Sequence, residues 1–462
     1  MDHVVSSPSP ADNVLQETAP PNVIPIPVMD IPVEGAATRI PAWAYLLVTV
    51  GSMLIGATAI VRGTRALSSP TDSDLTDFFL KSADYILRGD PWRMYAARGF
   101  APLQTYPNDN TPLDMFLLAP LLQLARAHGF AANTGALVTF VSLPFILLAP
   151  LTGYMVVQAL RTVRPDAPEP QRFLAFALFT LSPLLWLCYA SWYHLEQPLQ
   201  IYFLLAAVIA LQSRREALAG VLAGLAVLSG VTAIFPLVAL GALLALSKQW
   251  RAFGAFAGVG VACVGLGMAP FFLADRRDTL YSFVLWRGRA EFGGSSPWSV
   301  FTVVALPHTL DAVVRRLDTP SMLLWAVAVA FLAVRRRVSA YGPGAWAVVG
   351  IAALALPMLS KQIWPYYYLQ PWALLLVWEF GTLHRRAGLW RWPILTGGYL
   401  TVAATLAQYT GFRSVGALDR VSVGLLEFGA MLLCAVVARR RLRMSDDALA
   451  TRPGATMAGA TR

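Results

Sequence analysis

Apolar residues in this chain come in long unbroken runs, not in alternating or one-sided helical stripes. The hydrocarbon core of a bilayer is about 30 Å thick and takes roughly 17 to 25 helical residues to cross. Runs of that size predict spans near 43–61, 133–160, 173–190, 196–212, 252–273, 320–334, 342–359, 366–381, 393–410 and 422–438. The run 217–247 is too long for one ordinary span and is interrupted by Pro236. Arg214 and Arg215 precede it and Lys248 and Arg251 follow it, so it predicts two short spans that begin and end on the same side.

Arg and Lys in short loops set the orientation, because cytoplasmic loops carry the basic excess. The clusters Arg161/Arg164/Arg172, Arg214/Arg215, Lys248/Arg251, Arg335 to Arg337, His384 to Arg386 and Arg439 to Arg443 are all expected inside. That leaves 62–112, 191–195, 274–319, 360–365 and 411–421 outside. Counting 113–127 as a full crossing would turn every later Arg cluster outward. PLDMFLLAPLLQLARAHG is therefore expected to lie in the outer interface or dip partway into it. The predicted fold class is an all-α polytopic membrane protein of about twelve spans, with an interfacial helix in the first external loop (62–132) and a second large external loop at 274–319. Residues 1–40 and 441–462 are expected to be disordered cytoplasmic tails flanking a membrane domain at 41–440. The first of these is rich in Pro, Ser and Ala and lacks the basic and apolar regions of a signal peptide.

Composition sharpens this. Hydrophobic residues make up 56% and charged residues 13%, where a soluble globule has about a quarter charged. The net charge of +10 comes mostly from Arg placed between apolar runs, which reads as topology and not as nucleic-acid binding. Cys188, Cys263 and Cys434 all fall inside apolar runs, and their spacing indicates neither a disulfide framework nor a zinc site.

Four polar clusters fall on the outer side. In SPTDSDLTDFFLKSADY, residues 69–85, Asp72 and Asp74 sit two apart just beyond the first span, where the usual i, i+4 partners cannot neutralise them. Such a pair suits acid/base work or cation binding; the plainer reading makes one of them a helix N-cap. Asp77 and Asp84 are better explained by the amphipathic helix that follows. In SWYHLEQPLQIYF, His194 and Glu196 stand where a span meets the interface, either as part of an aromatic belt with a charged helix start or as polar contacts to a phosphate or sugar. Arg287, Arg289 and Glu291 precede Gly293, Gly294, Ser295 and Ser296; an external Arg pair runs against the positive-inside bias, and Arg suits planar phosphate recognition. LSKQIWPYYYLQPWALLL carries Lys361, one of three lysines in the chain, beside Gln362, Trp364 and three tyrosines. Snorkelling within an aromatic belt competes there with the holding of an anionic head group.

On these residues the sequence resembles the GT-C superfamily of membrane glycosyltransferases, which use polyprenyl-phosphate sugars as donors. The likeness is nearest to the mannosyltransferases that include GPI mannosyltransferase I and bacterial polyprenol-phosphate-mannose-dependent enzymes. It rests on Thr71, Asp72, Asp74, Phe78, Ala83, Gly89, Pro91 and Trp92, on Tyr106 to Leu113, on Arg287 through Ser296 to Trp298, and on Lys361 to Tyr367. Gly230 or Val231 stands where a Lys is common in those relatives.

The resemblance implies a GT-C-like bundle that moves a sugar, mannose by this likeness, from a polyprenyl-phosphate donor to a lipid or glycan acceptor at the external face of the cell membrane. It implies Asp72 first and Asp74 second as the catalytic base. Arg287, Arg289, Lys361 and then His194 would hold the donor phosphate, and Glu196, Gln362 and Tyr367 would contact acceptor or sugar. Attack opposite the leaving phosphate gives single displacement with inversion. No cofactor is required on this reading; a divalent ion on Asp72 and Asp74 fits the pair, but no His or Cys ligand set supports an obligatory one. The rival classes are a lipid-linked glycan ligase, which would also use external Arg, and a transporter. The transporter predicts two similar halves and ionisable residues near the midplane, whereas here the charges crowd the outer loops.

Overall fold

The computed structural model describes residues 39–66, 73–95, 107–190, 193–286, 308–382 and 396–405, with single residues and short pieces between 293 and 301 and between 421 and 436. All of these belong to one unit of the chain, Arg39–Arg462. The expected tails lie almost wholly outside the described residues.

Among the described residues the structure is all-helical except for one two-residue strand pairing. Its helices are α1 (Ala42–Ala66), α2 (Leu80–Leu87), α3 (Leu113–Ala127), α4 (Thr134–Ser142), α5 (Leu148–Val163), α6 (Glu169–Thr180), α7 (Pro183–Ala190), α8 (Glu196–Gln212) and α9 (Glu216–Ser229). There follow α10 (Ile234–Leu246), α11 (Trp250–Ala274), α12 (Arg276–Leu280), α13 (His308–Val314), α14 (Asp318–Arg335), α15 (Gly344–Ala353), α16 (Ala355–Leu359) and α17 (Leu369–Thr382). Among the described residues five stretches are long and apolar enough to cross a membrane: Ala42–Thr64, Thr134–Val163, Glu169–Tyr189, Trp250–Ala274 and Asp318–Arg335. Glu216–Ser229, Val231–Leu246 and Gly344–Leu359 are shorter apolar helices. With so many apolar helices, the chain is an integral multi-pass membrane protein.

The burial pattern is that of a bundle in lipid. Val261, Leu266 and Leu273 on α11 are 72%, 76% and 87% exposed, and Leu46, Leu47 and Leu54 on α1 also face outward. Water would penalise such a surface and hydrocarbon does not. The core instead sits around α8, α15 and α17, whose residues are buried nearly all the way round. Small residues set the closest packing: a Cβ on Gly220 would come within 2.5 Å of the Phe256 carbonyl, and one on Gly224 within 2.5 Å of the Cys263 Cβ. This small-xxx-small face lets α9 and α11 approach backbone to backbone, as helices in lipid must do to gain from van der Waals contact.

The run 217–247 does form two short helices, but the break falls at Gly230 and not at Pro236. Gly230 is extended, with φ −172° and ψ 121°, and a side chain there would collide with the Gln200 amide. Pro236 is the third residue of α10, within the first turn, where its missing N–H leaves no helical bond unmade. The expected interfacial segment is α3, with the bounds expected and Pro120 inside it. It buries Met115, Leu118, Leu122 and Ala125 against the protein and leaves Phe116, Leu117 and Leu124 exposed.

Candidate functional site

Beyond α1 the described chain resumes at Ser73, where the next helical segment opens. Ser73 fixes it: its carbonyl accepts from the Thr76 and Asp77 amides at 3.1 and 2.9 Å, and its hydroxyl accepts from the Thr76 amide at 3.3 Å. The next turn, Leu75–Phe79, is π-helical, with Leu75 and Phe79 buried as anchors. Single π turns inside α-helices are frequent at functional sites. Asp74 precedes this turn but caps nothing. Its carboxylate turns instead to His194, with Oδ2 at 2.8 Å from Nε2.

His194 comes from the junction of α7 and α8. Tyr193 beside it has φ 57°, a left-handed conformation that a bulky residue holds only when its surroundings enforce it. The other ring nitrogen, Nδ1, bonds Glu196, the first residue of α8. A carboxylate there is favoured by the helix N-terminus. The result is a chain Asp74–His194–Glu196 with both imidazole nitrogens occupied. His194 and Glu196 side chains are 5% exposed and Asp74 is 27% exposed, so Asp74 is the open end.

Burial pushes the His194 pKa down, but Glu196 and Asp74 together outweigh it by charge and hydrogen bond and raise it to about 10. The ring is an imidazolium at neutral pH. Tyr366 lies against its face with ring centroids 3.7 Å apart, and Phe79 meets it edge-on at 6.1 Å. Tyr367 packs edge-on against Tyr366 at 4.8 Å.

A third carboxyl stands nearby. Asp114, in the first turn of α3, is 1% exposed, and neither of its oxygens has a side-chain hydrogen-bond partner among the described residues. Burial, reinforced by the negative charge of Glu196, pushes its pKa well above the ordinary carboxylate range.

The Arg-bearing loop and the Lys361 segment meet. Gly293 pairs with Gln362 and Gly294 with Ile363 in a short parallel ladder. The Ser296 hydroxyl donates to the Ser360 carbonyl at 2.7 Å, and the Trp298 indole donates to the Leu359 carbonyl at 2.6 Å. Lys361 is buried, and its Nζ donates to the Arg315 carbonyl at 2.7 Å.

Of the expected site residues, Asp72, Arg287 and Arg289 lie outside the described residues. His194, expected to hold phosphate, gives both ring nitrogens to carboxylates and has none left for a phosphate oxygen. Glu196, expected at sugar or acceptor, is the residue that anchors His194. Gln362 is in the parallel ladder and Tyr367 is one ring removed from His194. Asp77 and Asp84 do serve the helix: Asp77 pairs with Lys81, and Asp84 with Arg88 and with Arg126 of α3. Sequence reasoning missed Tyr366 and Asp114; the second was visible only as a carboxylate at the start of an apolar helix. Among the described residues no group of three or more His, Cys, Asp or Glu is arranged to hold a metal ion.

An all-helical membrane bundle that brings carboxylates, an imidazole and tyrosines together at one end has the makings of a membrane transferase. The profile of Glycosyltransferase family 87 matches residues 110–360, more than half of the chain, and the protein belongs to that family. This is a GT-C family of polyprenyl-phosphate-dependent membrane glycosyltransferases. The matched segment contains Asp114, His194 and Glu196; Asp74 precedes it, and Lys361 and Tyr366 follow it. No curated protein matches the chain.

Proposed function

We propose that this family 87 glycosyltransferase moves a mannosyl group from a polyprenyl-phosphate donor to a hydroxyl of a lipid or glycan acceptor on the outer face, by single displacement with inversion. The observation that carries the reading is the Asp74–His194–Glu196 chain, with its one accessible carboxylate at the open end.

In the reaction, the acceptor oxygen attacks the anomeric carbon as the bond from that carbon to the phosphate oxygen breaks. The departing phosphate takes the bonding electron pair, and Asp74 takes the acceptor's proton. The acceptor hydroxyl becomes acidic only as the oxocarbenium-like state bonds to it, so the proton moves late, as the new bond forms. His194 holds the Asp74 carboxylate aimed, and its positive charge lies close to where the phosphate departs. Glu196 fixes the ring and keeps it charged. Positioned acid/base groups of this kind contribute roughly 10²- to 10⁴-fold, and the rest comes from holding both substrates in line.

Lys361 with Arg287 and Arg289 forms the phosphate-holding set in this proposal. The ladder that joins 293–294 to 362–363 supports it, because it ties the loop that carries the two arginines to the segment that begins at Lys361. Asp72 becomes secondary to Asp74, and no step is routed through a metal ion. The external placement follows the loop charges, and about twelve spans remains the expected total.

The test is transfer of radiolabelled mannose from polyprenyl-phosphate-mannose by membranes carrying wild type, Asp74→Asn or Asp72→Asn. Loss of 10²-fold or more with Asp74→Asn alone is expected. Equal transfer by all three would sink the assignment of the base. Transfer from a nucleotide sugar, and none from the lipid-linked donor, would overturn the donor class.

A further inference from the structure

At the end of the bundle opposite the site, a groove of about 590 Å³ opens between α1, α5 and α6. Its polar residues gather at one end. Tyr45 is at the start of α1, Arg161 at the end of α5 and Glu169 at the start of α6. Helix α1 runs from this end to the other, where the chain continues to Asp74. The stretch Glu169–Tyr189 likewise runs from here toward His194, about 30 Å at 1.5 Å per residue. The Arg161/Arg164/Arg172 cluster marks this as the cytoplasmic end.

From Arg161 the groove descends along α5 on an apolar wall. Leu147, Leu151 and Tyr154 stand at i, i+4 and i+7, all about half-exposed. The wall from Val157 to Leu147 is about 15 Å deep, which is half of a hydrocarbon core of about 30 Å. It is one leaflet deep, the reach of one acyl chain from the head-group level to the midplane.

The charges at the mouth leave a net positive group. Tyr45 donates its hydroxyl to Glu169 at 2.6 Å, and Arg172 lies 3.7 Å from the same carboxylate, so Glu169 is already neutralised from within the protein. Phe173 and Phe176 hold the Tyr45 ring in place. Arg161 is exposed and makes no ion pair or hydrogen bond among the described residues. Its guanidinium presents the planar fork that matches a phosphate.

We propose that this groove is a binding site for one anionic glycerophospholipid of the cytoplasmic leaflet, with an acyl chain against Leu147, Leu151 and Tyr154 and the phosphodiester on Arg161. The site is separate from the Asp74–His194–Glu196 chain and does not rest on the reaction proposed for it. Occupancy braces α1 against α5 and α6, so the lipid acts on the stability of the bundle.

The test measures the thermal midpoint of the full-length protein in detergent on titration with phosphatidylglycerol, with phosphatidylcholine of the same chains, or with inorganic phosphate. The variants are Arg161→Gln, Leu151→Trp, which fills the groove from a half-exposed position, and Arg215→Gln as a basic control away from it. Phosphatidylglycerol should raise the midpoint of wild type and of Arg215→Gln. Arg161→Gln should need about fivefold more of it, the factor that ~1 kcal/mol of charge attraction per basic residue represents. Leu151→Trp should lose the shift. Equal shifts with both lipids, or an unchanged titration in Arg161→Gln and Leu151→Trp together, would overturn the proposal. A full shift from phosphate alone would show a free-anion site instead. If Arg161→Gln fails to fold, Leu151→Trp against wild type decides, with phosphatidylglycerol retained on the intact protein in native mass spectrometry as its readout.

Discussion

The ring of Tyr366 lies 3.7 Å from the ring of His194, centroid to centroid, with 32° between their planes. A charged imidazole on an aromatic face gains about 0.5 to 2 kcal/mol, and the contact also fixes the plane in which Nε2 meets Asp74. The π face of Tyr366 makes this contact. Tyr366→Phe should therefore keep kcat within a few-fold, and Tyr366→Ala should lower it about 10- to 100-fold with little change in KM. Steady-state transfer rates on both variants check this. A Phe variant as impaired as Ala would show instead that the hydroxyl is the working group.

Glu196 is the larger of the two influences that keep His194 charged. Glu196→Gln removes that charge, so the His194 pKa should fall from about 10 toward the ordinary value near 6.5. The basic limb of the kcat profile should move down by at least one pH unit. Stability follows the same group. Its folded pKa is raised, so the stabilisation is complete below about pH 6.5 and is lost as pH climbs to about 10. Thermal midpoints of wild type should decline across that window and those of Glu196→Gln should decline less. A limb that stays in place would remove His194 from the mechanism.

Particular residues show why some of this was legible in sequence and some was not. Spans are written in length and apolarity alone, so the expected bounds 113–127 and 320–334 differ little from Leu113–Ala127 and Asp318–Arg335. The break at Gly230 was misplaced because a proline is a breaker only outside the first turn, and helix register cannot be read from an apolar run. The partnership of Asp74 and His194 joins residues 120 apart. Each looked locally like something ordinary: a helix cap and a belt histidine. Tyr366, Tyr367 and Tyr368 are equivalent as letters, and only the turn at Pro365–Tyr368 decides which ring meets the imidazole.

Asp84 tests the division of labour within the acidic stretch. It pairs with Arg88 on its own helix and with Arg126 on α3, at 2.5 and 2.7 Å, and so ties α2 to α3. Its side chain is 18% exposed, which places the pairs between the weak surface case and the costly buried one. Asp84→Ala should destabilise by about 1 to 2 kcal/mol and leave kcat within a few-fold of wild type below its melting temperature. Thermal midpoints and rates measured on the same preparation check this. A loss of rate like that of Asp74→Asn, without a loss of stability, would give Asp84 a chemical role.

Asp114 is the most exacting case, because it is buried, has no side-chain hydrogen-bond partner among the described residues, and yet lies within the electrostatic reach of Glu196. An ionised carboxylate there would face the cost of desolvation and the repulsion of its neighbour, and both push its pKa up. A group whose folded pKa is raised binds its proton more tightly in the folded than in the unfolded chain. It therefore costs stability as pH rises above the unfolded carboxylate value near 4. Asp114→Asn keeps the shape and the neutrality and removes that titration. The variant should be as stable as wild type near pH 4 and more stable at pH 7, by about 1.4 kcal/mol for each pH unit over which the folded acid keeps its proton, with its rate and its pH profile retained. Urea or thermal unfolding at the two pH values distinguishes this from a catalytic Asp114. If the Asn variant gains no stability at pH 7 and loses 10²-fold or more in transfer, then Asp114 must release or accept its proton during turnover, and the acid at the head of α3 belongs to the reaction.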